Sequence, residues 1–219
     1  MTHFDWNEKL AHAALAAILL VSVGACDQKS EQNSAEESAQ SRGVGESIAA
    51  MKMYDTMPEI RQGEIFVGES RKSGKDGPED RAEAARVLEL MRELLGLLAT
   101  ENLAGLNDHI SRSQGLYVDL KAHKTFAEIE KDVRNPTGYL RTYYLNSESL
   151  RERTDEPEQL AIRDVFKLTR VVTADVYLQS DRKQCELRLR LEDAPSKSYY
   201  LNNPVFIQEN GQWFIYRLF

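Results

Sequence analysis

The sequence predicts an α+β fold: a long helix packed on a curved antiparallel sheet of four or more strands, preceded by a disordered tether and a cleaved signal peptide. Three observations predict it. Residues 79–103 repeat their apolar positions at helical spacing, residues 172–191 alternate apolar with polar, and the chain turns from wholly apolar to wholly polar across Cys26.

The N-terminal segment comes first. Residues 13–23 carry no charge and a single hydroxyl, Ser22. That length suits the core of a secretory signal and falls short of the roughly 20 residues that span a bilayer. The run closes in Val23-Gly24-Ala25-Cys26. This ending resembles the bacterial lipobox, an aliphatic residue and two small ones before a cysteine. The resemblance implies that the Cys26 thiol receives a diacylglyceryl group, that residues 1–25 are removed, and that the new amino terminus is acylated with a palmitate-type chain. Small side chains at Gly24 and Ala25 leave room for a peptidase to close on the backbone. One acyl chain holds a protein marginally, at about 0.8 kcal/mol per buried methylene, whereas two hold it stably. The alternative is a buried N-terminal helix ending in an ordinary cysteine.

Loss of Lys9, Asp5 and Glu8 with the signal takes the 28 basic and 35 acidic side chains to 27 and 33, a net charge of −6. An acidic balance argues against general nucleic-acid binding, which draws on a basic surface to release counterions. Membrane affinity would come from the covalent lipid. With Cys26 lipidated, Cys185 has no intramolecular partner, and an exported domain without a disulfide relies on its apolar core. Only His109 and His123 remain after His3 and His12 are removed, too few with one thiol for a Cys/His zinc cluster. No metal or cofactor is expected.

Residues 26–43 follow as a tether, because DQKSEQNSAEESAQSR has no apolar side chain larger than alanine and cannot offset its ordering entropy. Residues 44–78 are expected to be a partly ordered linker, either a short helix docked on the domain or a linker with apolar contact points such as Ile65 and Phe66. The globular domain is placed at residues 79–219.

Ala84, Val87, Leu88, Met91, Leu94, Leu95 and Leu98 form one stripe, opened by Pro78 or Asp80 and ended near Gly105. The stripe either packs on the sheet of the same domain or forms a coiled-coil seam, and about two heptads favour the former. From Gly115 the period becomes two: Leu116, Val118, Leu120 and Ala122 oppose Tyr117, Asp119, Lys121 and His123, which predicts one half-buried strand. Thr125-Phe126-Ala127-Glu128 is a capping box for a short helix burying Phe126, Ile129 and Val133. YLRTYYL, residues 139–145, is expected as a strand, residues 146–157 as an irregular stretch, and Asp155 as the start of a helix or turn reaching Leu168.

The C-terminal region predicts a hairpin with one wet face, Val172, Ala174, Val176 and Leu178 against Cys185, Leu187, Leu189 and Leu191. Two further strands, residues 199–207 and 212–219, meet at Glu209-Asn210-Gly211, and Pro204 places its strand at an edge or a bulge.

This order of elements, closing in NGQWFIYRLF, resembles the nuclear-transport-factor-2-like cone superfamily, with Asn210, Gly211, Gln212, Trp213, Ile215 and Phe219 where that pattern has them. A cystatin-like or unrelated helix-on-sheet domain is the alternative. The family hosts enzymes and binding modules alike. Its enzymes usually carry an aspartate and a histidine inside the cone, which implies Asp119 and His123, with Tyr117. On a straight strand that pair stands about 13 Å apart, too far for a carboxylate to tune a histidine, so both are read as solvated. Cys185 reads as a buried apolar residue, and Ser111, Ser113 and Ser149 lack a nucleophile context. No catalytic residue is assigned. Tyr139, Tyr143, Tyr144, Tyr199, Tyr200 and Trp213 are the candidates for one pocket or interface.

The sequence therefore predicts a lipid-anchored protein of the bacterial cell envelope, facing the periplasm or the exterior. It is read as a non-enzymatic binding or interaction module, with an envelope protein as a possible partner. The rival is a small-ligand carrier or cone-fold enzyme with an internal pocket, which an interior packed by Leu88, Leu95, Cys185, Leu187 and Leu189 would argue against.

Overall fold

The computed structural model describes residues 52–68, 76–194 and 201–219, so the lipobox-like residues 23–26, the expected signal and tether, Tyr199 and Tyr200 lie outside the described residues. Period-two patterning gives the centre of the sheet. β4 (Val171–Leu178) and β5 (Gln184–Leu191) pair antiparallel with Val172 opposite Leu191 and Leu178 opposite Cys185. β6 (Val205–Glu209) and β7 (Gln212–Arg217) continue the meander through Asn210 and Gly211, both at positive φ as a two-residue hairpin turn requires. Pro204 precedes a bulge between Val205 and Phe206.

The sheet is mixed, not antiparallel as expected. Its order is β1-β4-β5-β6-β7-β2-β3, in which β1 (Glu59–Val67) runs parallel to β4, and β2 (Leu116–Tyr117) is parallel to β7. Residues 59–67, expected within a linker, thus form an edge strand among the described residues, with Ile60 and Ile65 in the core. A parallel partner requires a long crossover, and the helices between β1 and β4 supply it.

The stripe from residue 84 to 98 forms α1 (Pro78–Ala99), which packs on β1, β4 and β7. Proline at its first position needs no amide donor, and Asp80 reaches back to the Gly77 amide at 2.8 Å. Ala84, Val87, Leu88, Met91, Leu94, Leu95 and Leu98 are all at most 3 % exposed. The helix stops at Ala99 because Glu101 takes a left-handed conformation, φ 54°, and the Asn102 amide returns to the Leu97 carbonyl. A 3-10 segment, Leu103–His109, follows.

Several further readings are corrected. The expected strand from residue 116 folds back: β2 pairs antiparallel with β3 (His123–Lys124), and Asp119 holds the turn by accepting from the Lys121 and Ala122 amides at 2.7 and 2.8 Å. Leu120, expected inward, sits on that turn and is 57 % exposed. Residues 139–145 are a helix, not a strand. α2 (Phe126–Arg134), opened by the capping box, ends near Asp132, whose carboxylate accepts from the amides of Tyr139 and Leu140 at 3.1 and 2.8 Å. That carboxylate satisfies the first donors of α3 (Tyr139–Leu145), and Leu140 and Tyr144, one turn apart, bury together.

The stretch expected to be irregular is α4 (Ser147–Thr154), capped by Asn146. Asp155 ends this helix at φ 57° instead of starting the next, α5 (Ile162–Phe166). Among the described residues no helix is long and apolar enough to cross a membrane.

Candidate functional site

A polar cleft of about 410 Å³ opens where the end of α1 meets α3, α4 and α5. Its floor is built from paired groups. Ser147, the first residue of α4, is buried; its hydroxyl donates to Asp164 Oδ2 at 2.5 Å and accepts from the Ala161 amide at 2.9 Å. Asp164 Oδ1 accepts from Arg163 Nε at 3.2 Å, and Arg163 Nη1 donates to Glu101 Oε1 at 2.5 Å. The left-handed turn at Glu101 is what brings its carboxylate to α5.

The rim is less committed. Arg141 of α3 approaches Glu101 Oε2 only to 3.8 Å, beyond hydrogen-bond distance. Arg151 of α4 is half-buried against the cleft, and its guanidinium has no hydrogen bond, ion pair or ring contact among the described residues. Glu148 completes the rim with a carboxylate that is likewise unengaged among the described residues. Ser147 meets a carboxylate and an amide, so its hydroxyl ties α4 to α5. Guanidinium forks over a neutralised floor are suited to holding a carboxylate-bearing molecule.

The aromatic candidates do not form one pocket. Tyr139 and Tyr143 stack at 4.3 Å between centroids, half-exposed, with Arg153 over Tyr143. Tyr144 points to the opposite side of α3, buried, donating to the Val118 carbonyl at 2.7 Å beside Phe219. Burial pushes its hydroxyl well above the ordinary tyrosine range. Trp213 lies six residues before Phe219, about 20 Å along an extended chain. It is buried and donates from Nε1 to Glu83 of α1 at 2.6 Å.

Asp119 and His123 are brought to one hairpin but to different partners. His123 packs on Tyr117, its cross-strand neighbour, with Nε2 2.7 Å from the Gln114 carbonyl. Asp119 binds its own turn and the Tyr139 hydroxyl, 3.2 Å away. Burial pushes the Asp119 carboxyl up, but those three donors outweigh it and hold the group below its usual value. His109 Nδ1 is 3.5 Å from Glu93. Ser111 and Ser113 both donate to Glu209, at 2.8 and 2.9 Å. Cys185 is fully buried, and desolvation raises its thiol far above the ordinary range. Among the described residues no group of three His, Cys, Asp or Glu side chains is placed to hold a metal ion.

Sequence reasoning missed the cleft because its residues come from four elements. The available signal was weak: Arg141 is the one charged residue in YLRTYYL, and Arg163 with Asp164 interrupts an apolar run. Compared with models of known families, with curated proteins and with solved structures, the chain matches none.

Proposed function

We propose that this chain is a lipid-anchored protein of the bacterial cell envelope, held through Cys26, that acts as a non-enzymatic binding or interaction module. The apolar run and small residues before Cys26 support the anchor. One observation carries the second half: Leu88, Leu95, Cys185 and Leu187 are 1, 3, 0 and 0 % exposed and share one buried cluster, with Leu189 packed against it. A core packed by these side chains leaves recognition to the surface, where the cleft beside α4 is a formed concavity. The resemblance to the cone superfamily belongs to the same proposal. The long helix α1 ahead of strands β2 to β7 and a final hairpin bearing Trp213 support it, whereas the parallel edge strand β1, which precedes α1, lies outside the expected order of elements.

The test is intact mass of the protein purified from membranes, beside a Cys26→Ala variant. A mature species that begins at residue 26 with added acyl mass, absent in the variant, supports the anchor. An unmodified chain retaining Met1 overturns it.

A further inference from the structure

We propose that the cleft between α3, α4 and α5 binds a small zwitterion of the amino-acid or short-peptide class, its carboxylate on Arg151 and Arg141 and its ammonium on Glu148. This names the ligand class of the binding module described above and rests on that reading.

The first ground is Arg151. A half-buried guanidinium has lost part of its hydration, and buried charges are ordinarily paired; this one has no partner among the described residues, although it lines the cleft. Arg163, by contrast, spends two of its nitrogens on Glu101 and Asp164. Arg141 stands between these cases, 3.8 Å from Glu101, with its donors free to turn toward a ligand. One unpaired fork and a second held only by a long ion pair match a carboxylate, which accepts parallel N–H bonds from each.

The second ground is the charge balance. Arg141, Arg151 and Arg163 face Glu101, Glu148 and Asp164, so the lining is neutral within a chain of formal charge −7. A dianion would meet three carboxylates and a dication three guanidiniums. A ligand that carries both signs leaves the cleft neutral and engages the unpaired groups of each sign. The size agrees, since about 410 Å³ admits a dipeptide and is small for a folded partner.

The probe is alanyl-alanine, observed by saturation-transfer NMR on the detergent-solubilised full chain, beside its N-acetyl and C-amide derivatives. The free dipeptide is expected to bind more tightly than either derivative. Arg151→Ala weakens it by about tenfold or more, and Arg151→Lys by less, because the charge survives and the fork does not. Glu148→Gln weakens the free dipeptide while leaving the N-acetyl form unchanged. Arg134→Ala, on the exposed face of α2, leaves all three unchanged. Arg151 makes no contact whose loss would unfold the chain, and an unchanged melting temperature in Arg151→Ala verifies this. Affinity weaker than about 10 mM, or affinity indifferent to Arg151→Ala, overturns the proposal. Acyl mass at Cys26 is read separately: binding without acylation removes the envelope anchor and keeps the cleft, and acylation without binding removes the cleft alone.

Discussion

Asp175 and Gly63 are built around one another. A Cβ on Gly63 would fall on Asp175 Oδ1, and that oxygen accepts the Glu64 amide at 3.0 Å. Gly63 and Glu64 are the two residues of β1 that oppose Asp175 alone, so the carboxylate fills a bulge in the parallel pairing. Arg190 of β5 donates to its other oxygen. Asp175 stands between the core residues Ala174 and Val176 and is itself only 4 % exposed, because β1 covers it.

Gly63→Ala is therefore expected to destabilise the fold by about 1–3 kcal/mol, since the backbone of β1 must shift away from β4. Gly96→Ala is the control. An added Cβ there meets nothing within 4 Å on an exposed helical turn, and the change should stabilise by roughly 0.5–1 kcal/mol. Urea denaturation of the two variants checks both signs, and equal effects would remove the steric account of the bulge.

Glu83 accepts from Arg86 of its own helix at 2.8 Å and from two donors that join α1 to the last hairpin, Trp213 Nε1 at 2.6 Å and Gln208 at 3.2 Å. Glu83→Ala should cost about 1.5–3 kcal/mol by leaving a buried indole N–H unpaired. Trp6 and Trp213 are the two tryptophans, so in a Trp6→Phe background the emission reads the change at Trp213 directly. An unaltered spectrum and midpoint would show that water replaces the carboxylate at no cost.

Acid should loosen the ends of two helices and one turn. Arg182 and the Gly77 amide hold the Asp80 carboxyl below its usual value, the Thr125 amide and hydroxyl do so for Glu128, and the donors around Asp119 do so there. Each folded value lies under an unfolded value near 4, so this stability is fully present above about pH 4 and is lost as pH falls through the lower folded values. Denaturation midpoints measured from pH 6 to pH 2 should fall below pH 4, and less steeply in Asp80→Asn. A variant with the same acid slope as the parent would rule Asp80 out as a contributor.

In the Cys26→Ala protein, Cys185 is the single thiol. Buried at 0 % exposure and with its ionisation suppressed by desolvation, it should not react with an aromatic disulfide reagent at pH 8 until denaturant is added. Rapid labelling of the folded protein would mean that β5 opens locally.

Several local devices were legible because they act within a few residues. The capping box at Thr125 and Glu128, the stripe from Ala84 to Leu98, the turn at Asn210 and Gly211 and the alternation that pairs β4 with β5 as a hairpin all belong to this class. The tyrosines of residues 139–145 misled, since strand propensity is weak beside a cap, and the cap here comes from Asp132, seven residues upstream of Tyr139.

The sequence by itself determined the periodicities, the caps and the tight turns, each of which is set by backbone geometry over one or two turns of chain. Tertiary structure decided the partners. β1 became a strand only by pairing with β4 more than a hundred residues later, Asp175 became buried only when β1 covered it, and Glu101, Arg141, Arg151 and Arg163 became one cleft only when four elements packed. Pairings at such separation are fixed by the summed burial of the whole core, and no local pattern records which distant edge will supply it.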